Sequence, residues 1–116
     1  MAGMSAREFD EILNLQIQRV INMLGSKAGE YASDKDRLHT FRQAAALQGI
    51  TPRQALVGLM SKHTVSIYDM ARSDKDFTME VWDEKITDHI NYLILLRALA
   101  YEEDRVDRAL GTNGTD

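Results

Sequence analysis

Between Thr78 and Leu110 the chain contains neither proline nor glycine, and no other feature limits its fold so strongly. Apolar side chains return through this stretch at three- and four-residue steps, so it predicts one long helix with Thr78 as its cap and Gly111 as its stop. At 1.5 Å per residue such a helix runs roughly 48 Å. A compact domain of 116 residues has a radius of gyration of only about 13 Å and a diameter of roughly 35 Å. Leu95, Leu96, Leu99, Val106 and Leu110 carry an apolar edge towards the far end. The expectation is a helix that outruns its own subunit and is covered by a second copy, giving a homo-oligomer of at least two chains.

Three shorter helices precede it. Ser5-Ala6-Arg7-Glu8 has the form of a capping box, and Phe9, Ile12, Leu13, Ile17, Val20, Ile21 and Leu24 then form one apolar stripe. Gly25-Ser26 ends or kinks this helix, or it continues for a turn or two towards Ala32. A second helix, about Asp36 to Gln48, carries Leu38, Phe41 and the small residues Ala44 and Ala45, which suit close approach by a neighbour. Gly49 is placed to end it in a left-handed conformation. Thr51-Pro52-Arg53-Gln54 opens the third helix with a cap, a proline at its first position and a glutamine to close the box. Arg72 to Phe77 is a charged loop. The fold class is therefore all-α: a four-helix bundle with a long C-terminal helix, one domain over 1–110, and a polar tail over 111–116 expected to be disordered.

Composition closes off several classes. The chain has one proline, seven glycines and no cysteine, which removes disulfides, zinc-thiolate sites and a cysteine nucleophile and fits a reducing cytoplasm. No apolar run reaches the roughly 20 residues that span a bilayer, and the opening Met-Ala-Gly-Met-Ser lacks the features of a signal peptide. With a net charge of −4 and scattered lysines and arginines, nucleic acid is not an expected partner. There is no phosphate-cradling glycine loop, paired-histidine zinc helix or serine elbow.

Chemistry can then reside only in polar residues at helical spacing, in three stretches. In the first, Lys27 to Arg37, Glu30 and Asp34 share a face if helix continues and could hold a divalent cation, while Lys27 and Arg37 could neutralise phosphate; ordinary ion pairs at a solvated helix end are the alternative. The second is Lys62-His63 with Ser66 and Asp69. His63 lies on the apolar stripe of the third helix, where a lone histidine is more often a packed core residue than a ligand. The third is Glu84-Lys85-Ile86-Thr87-Asp88-His89-Ile90-Asn91-Tyr92. Glu84, Asp88 and either Asn91 or Tyr92 fall on one face, and two like charges one turn apart need a cation to offset them. A solvated acidic face with Lys85 as local partner is the competing account.

The pattern of Lys27, Glu30 and Tyr31, then Asp36-Arg37-Leu38 with Phe41, Lys62-His63 with Ser66, and Glu84-Lys85 with Asp88 and Asn91-Tyr92 resembles a family of short phage and prophage proteins. These are grouped with nucleotide-modification-associated domains of mostly unknown function. More distantly it is similar to the all-α nucleotide pyrophosphohydrolases, the MazG-like proteins and dimeric dUTPases. That likeness implies magnesium held by Glu30, Asp34, Glu84 and Asp88, with Glu84 and Asp88 as the catalytic pair. The spacing of that pair is one residue longer than that family's, and its run of three glutamates on one helix is absent. Lys27, Tyr31, Arg37, Lys62, His63, Asn91 and Tyr92 become the nucleotide-binding set. The expected function is nucleotide binding in the cytoplasm of an infected or lysogenic host, with magnesium-dependent cleavage of a nucleoside triphosphate. The alternatives are sequestration of a signalling nucleotide without catalysis, and a structural interaction module.

Overall fold

A computed structural model describes residues 3–31 and 36–111, and the side chains among them except those of 26–31. Four helices follow in order: α1 (Ala6–Tyr31), α2 (His39–Gln48), α3 (Pro52–Arg72) and α4 (Met79–Ala109). No strand occurs among the described residues.

Three of the four helices begin at a side-chain cap. Ser5 Oγ accepts from the Glu8 amide while Glu8 Oε1 accepts from the Ser5 amide, both near 3 Å, so two orphan donors are satisfied reciprocally. Thr51 and Gln54 repeat the arrangement at α3, with Pro52 inside the first turn. Thr78 Oγ1 accepts from the Val81 amide at α4. The second helix differs from expectation: it starts at His39, because Asp36 Oδ1 accepts from the Leu38 amide at 3.0 Å and forms a turn instead of a first helical residue. Gly49 ends α2 at φ 69°, and Ile50 donates back to the Ala45 carbonyl at 3.0 Å. Helix α1 runs straight through Gly25 to Tyr31.

The core sits where α2, α3 and the middle of α4 meet. Phe41 and Leu56 are fully buried, Leu99 is 1% exposed, and Leu38 closes the cluster, with Met60, Tyr92, Leu95 and Leu96 packed around it. Ala45 and Ala55 are buried as well, so the small residues do admit close approach of α2 and α3. Burying a side chain such as Phe41 or Leu56 contributes about 1.5–3 kcal/mol.

This packing corrects one expectation. Leu95, Leu96 and Leu99 do not form an exposed edge with Val106 and Leu110. They turn into the protein's own core, and only Val106 and Leu110 are left outward at the end of α4. The molecule is nevertheless long, 58 × 33 × 28 Å, with a radius of gyration of 17.5 Å, well above the about 13 Å of a compact domain this size. Helix α1 lies along α4 and touches α2, but among the described residues it does not reach α3. No described helix is long and apolar enough to cross a membrane.

An arginine fastens the open end of the core. Arg42 on α2 donates to both oxygens of Glu102 on α4 at 2.6 Å and also grips both oxygens of Asp36. Its planar fork suits two carboxylates at once. The Arg42 hydrogen bonds, with that of the Leu38 amide, hold the Asp36 carboxyl down to about 2. The same arginine lowers Glu102, and the two carboxylates raise Arg42.

Candidate functional site

Glu84, Asp88, Asn91, Leu95 and Leu99 succeed one another at three- and four-residue steps and form one seam of α4. At Leu95 and Leu99 the seam is core. One turn nearer the N-terminus it becomes polar without leaving the interior: Asn91 is 6% exposed, the adjacent Thr87 is 2% exposed, Asp88 is half-buried, and Glu84 reaches solvent. A helix folded only for stability would continue this seam in apolar residues.

Thr87 is satisfied from α1, whose Gln16 Nε2 donates to its hydroxyl at 2.9 Å. Asn91 is not. Neither Nδ2 nor Oδ1 of its carboxamide meets a hydrogen-bond partner among the described residues. Leaving a buried amide unpaired costs roughly 1–3 kcal/mol, so native interiors rarely tolerate it without a use.

The wall on one side belongs to α1. Arg19 pairs with Asp83 at 3.2 Å, and Arg19, Met23, Asp83, Glu84 and Thr87 line an open cleft of about 540 Å³ between α1 and α4. The wall on the other side belongs to α3. His63 packs its ring 4.9 Å from that of Tyr92, and Thr64 Oγ1 meets His89 Nε2 at 2.9 Å. Burial holds the His63 imidazole below its ordinary value, with the Asp88 carboxylate opposing the shift and Lys62, Lys85 and His89 reinforcing it.

The residues expected from sequence are thus distributed unevenly. Glu84, Asp88, Asn91, Tyr92 and His63 gather around the polar seam. Lys62 stands apart: it is exposed and lines a different open cleft, about 640 Å³, with Ser66, Asp69, Lys75 and Phe77. Arg37 is exposed at the approach to α2. Lys27, Glu30 and Tyr31 belong to the last turns of α1, with side chains outside the described residues, and Asp34 lies outside them altogether. Trp82, outside that set, is half-buried in an edge-to-face contact with Phe77, centroids 5.9 Å apart.

Sequence reasoning missed the supports contributed by Gln16 and Arg19. Their only signal was polarity interrupting the apolar stripe of α1. As to metal, Glu84 and Asp88 supply hard oxygen donors of the type magnesium takes, but among the described residues no group of three or more carboxylates and histidines comes together. Compared with known protein families, with curated proteins and with solved structures, the chain matches none.

Proposed function

We propose that the chain binds a nucleotide at the polar seam of α4, between α1 and α3. The observation that carries this reading is Asn91: a buried carboxamide with one free donor and one free acceptor, on the same seam as two carboxylates. A nucleobase edge presents the complementary donor and acceptor pair. Tyr92, next to it in sequence and packed 4.9 Å from the His63 ring, is the aromatic neighbour a base would meet, and base stacking on such a ring contributes about 1–3 kcal/mol per base.

In the enzymatic form of this reading Glu84 and Asp88, joined by Glu30 and Asp34 as the resemblance implies, would hold magnesium, which would neutralise phosphate charge. Asn91 fixes the base and the resemblance assigns Lys27 to the phosphates; Arg37, next to the Asp36–Arg42–Glu102 bridge at the other end of α4, stands away from them. The sequestering form uses the same residues without turnover, the carboxylates serving as hydrogen-bond acceptors.

Incubation with a panel of nucleoside triphosphates and signalling nucleotides, with and without magnesium, separates these. Cleavage supports the enzyme. Thermal stabilisation without product supports sequestration. Neither outcome with any nucleotide sinks the proposal and leaves the interaction module.

A further inference from the structure

The outer side of the α1–α4 pair carries an apolar face with no partner in its own chain. Phe9, Leu13, Ile17 and Ile21 on α1 and Leu93 and Ile94 on α4 are each 43 to 59% exposed. Between the helices runs a groove of about 350 Å³ lined by Leu13, Ile17, Val20, Ile21, Ile90 and Ile94, with Gln16 at its edge. Taking roughly 200 Å² for a fully exposed large side chain, these six residues present on the order of 600 Å² of apolar surface. That reaches the upper end of the about 300–600 Å² found for the largest patch on a monomer. It also approaches the roughly 800 Å² that each partner of a stable complex contributes.

Charge identifies the occupant. From Ile12 to Gly25 the only charged residue is Arg19, and Arg19 is turned to Asp83 of its own chain. The other polar residues of the stretch are amides: Asn14, Gln16, Gln18 and Asn22. Depletion of charge is the mark of an interface core. In a chain of net charge −4, the α1 half of this face lets two identical molecules meet without opposing like charges; on the α4 half the exposed Arg97, three and four residues from Ile94 and Leu93, is the charge the interface must place at its border. A lipid surface would call for lysines and arginines beside the stripe, whereas the preceding turn carries Glu8, Asp10 and Glu11 with Arg7 alone.

We propose that two copies of the chain pack these faces together about a two-fold axis, so that α1 and α4 of each form a four-helix interface. An isologous contact needs one self-complementary patch, and the antiparallel pair of α1 and α4, with Gln16 against Thr87 and Arg19 against Asp83, supplies it. The interface is on the flank of α4 and along α1, not on the overhang at Val106 and Leu110. It also adjoins the candidate site through Gln16, which lines the groove and donates to Thr87. The proposal stands independently of what the site binds.

Sedimentation equilibrium of the full chain at micromolar concentration should give at least twice the 13.1 kDa monomer mass. Ile17→Glu and Ile94→Glu should each raise the dissociation constant on the order of 30-fold or more, the loss typical of a central interface residue. The chain has no cysteine, so Leu13→Cys, Ile17→Cys and Ile21→Cys, oxidised one at a time, give a second reading that does not depend on the glutamate variants folding. At least one should cross-link into a dimer, while Val106→Cys should not. A monomeric wild type overturns the proposal, whether or not it binds anionic vesicles. So does an oligomer that resists both glutamates and cross-links only through Val106→Cys.

Discussion

Replacing Asn91 by leucine tests the central argument, because stability and binding should move in opposite directions. The side chain is 6% exposed and both of its polar atoms lack partners among the described residues. Its desolvation therefore stands as an uncompensated cost of roughly 1–3 kcal/mol in the ligand-free protein. Leucine keeps the branching and the number of side-chain heavy atoms, its two methyls taking more room than the carboxamide; it continues the seam formed by Leu95 and Leu99 and has no polar atom to desolvate. Allowing for imperfect repacking, Asn91→Leu should stabilise the protein by about 1–2 kcal/mol. At about 4 °C per kcal/mol for a domain of this size, Tm should rise by roughly 4–8 °C. Thermal and urea melts followed by circular dichroism measure this directly. The stabilisation that a bound nucleotide adds to wild type should vanish in the variant. A loss of 1 kcal/mol or more on substitution would show that the carboxamide serves the fold. Undiminished stabilisation by nucleotide would show that it does not serve the ligand.

Arg42→Met should destabilise the protein by about 1–3 kcal/mol, since it strands Asp36 and Glu102 near each other; the figure is kept low because all three side chains remain a quarter to a third exposed. Both carboxylates are held below their ordinary values, so this stabilisation is fully present above about pH 4.5 and is lost as pH falls towards the 2 of Asp36; urea midpoints of wild type and variant should converge there, and a constant gap down to pH 2 would refute the ion-pair account. Gly49→Ala should cost about 1 kcal/mol, because the φ of 69° is unfavourable for a Cβ although the space around it is open; an unchanged melt would mean that α2 ends differently. Asp88→Asn should leave Tm nearly unchanged or raised while removing any magnesium-dependent turnover, and a loss of several degrees would assign Asp88 to the fold.

How far the sequence could be read depended on the range of the interactions. The caps at Ser5, Thr51 and Thr78 and the stop at Gly49 are written within four residues, and local hydrogen bonds enforce them. The start of α2 was misjudged because Asp36 has two local uses, first residue of a helix or acceptor in a turn, and Arg42 with Glu102 decides between them from six and sixty-six residues away. The destination of Leu95, Leu96 and Leu99 was likewise open, since an apolar stripe is the same whether it meets its own α2 and α3 or a neighbour. At the candidate site, the gathering of Glu84, Asp88, Asn91 and Tyr92 follows from helical period alone. The separation of Lys62 from them does not: it stands one residue before His63 on α3, and a single residue step, about 100° around a helix, turns a side chain from the seam to the outer cleft.

The limited attachment of α1 has a consequence for how the protein behaves at different concentrations. Because among the described residues α1 rests on α4 and α2 and contributes nothing to the buried cluster of Phe41, Leu56 and Leu99, its lifting away would be an opening smaller than global unfolding. A second copy seated on α1, as proposed above, would bind only the closed form, so mass action would tie the closing of α1 to the amount of protein present. Gln16 and Arg19 are on that helix, and with them one wall of the candidate cleft. On both proposals, dilution alone should loosen the wall, and the affinity of the site for a nucleotide would vary with protein concentration.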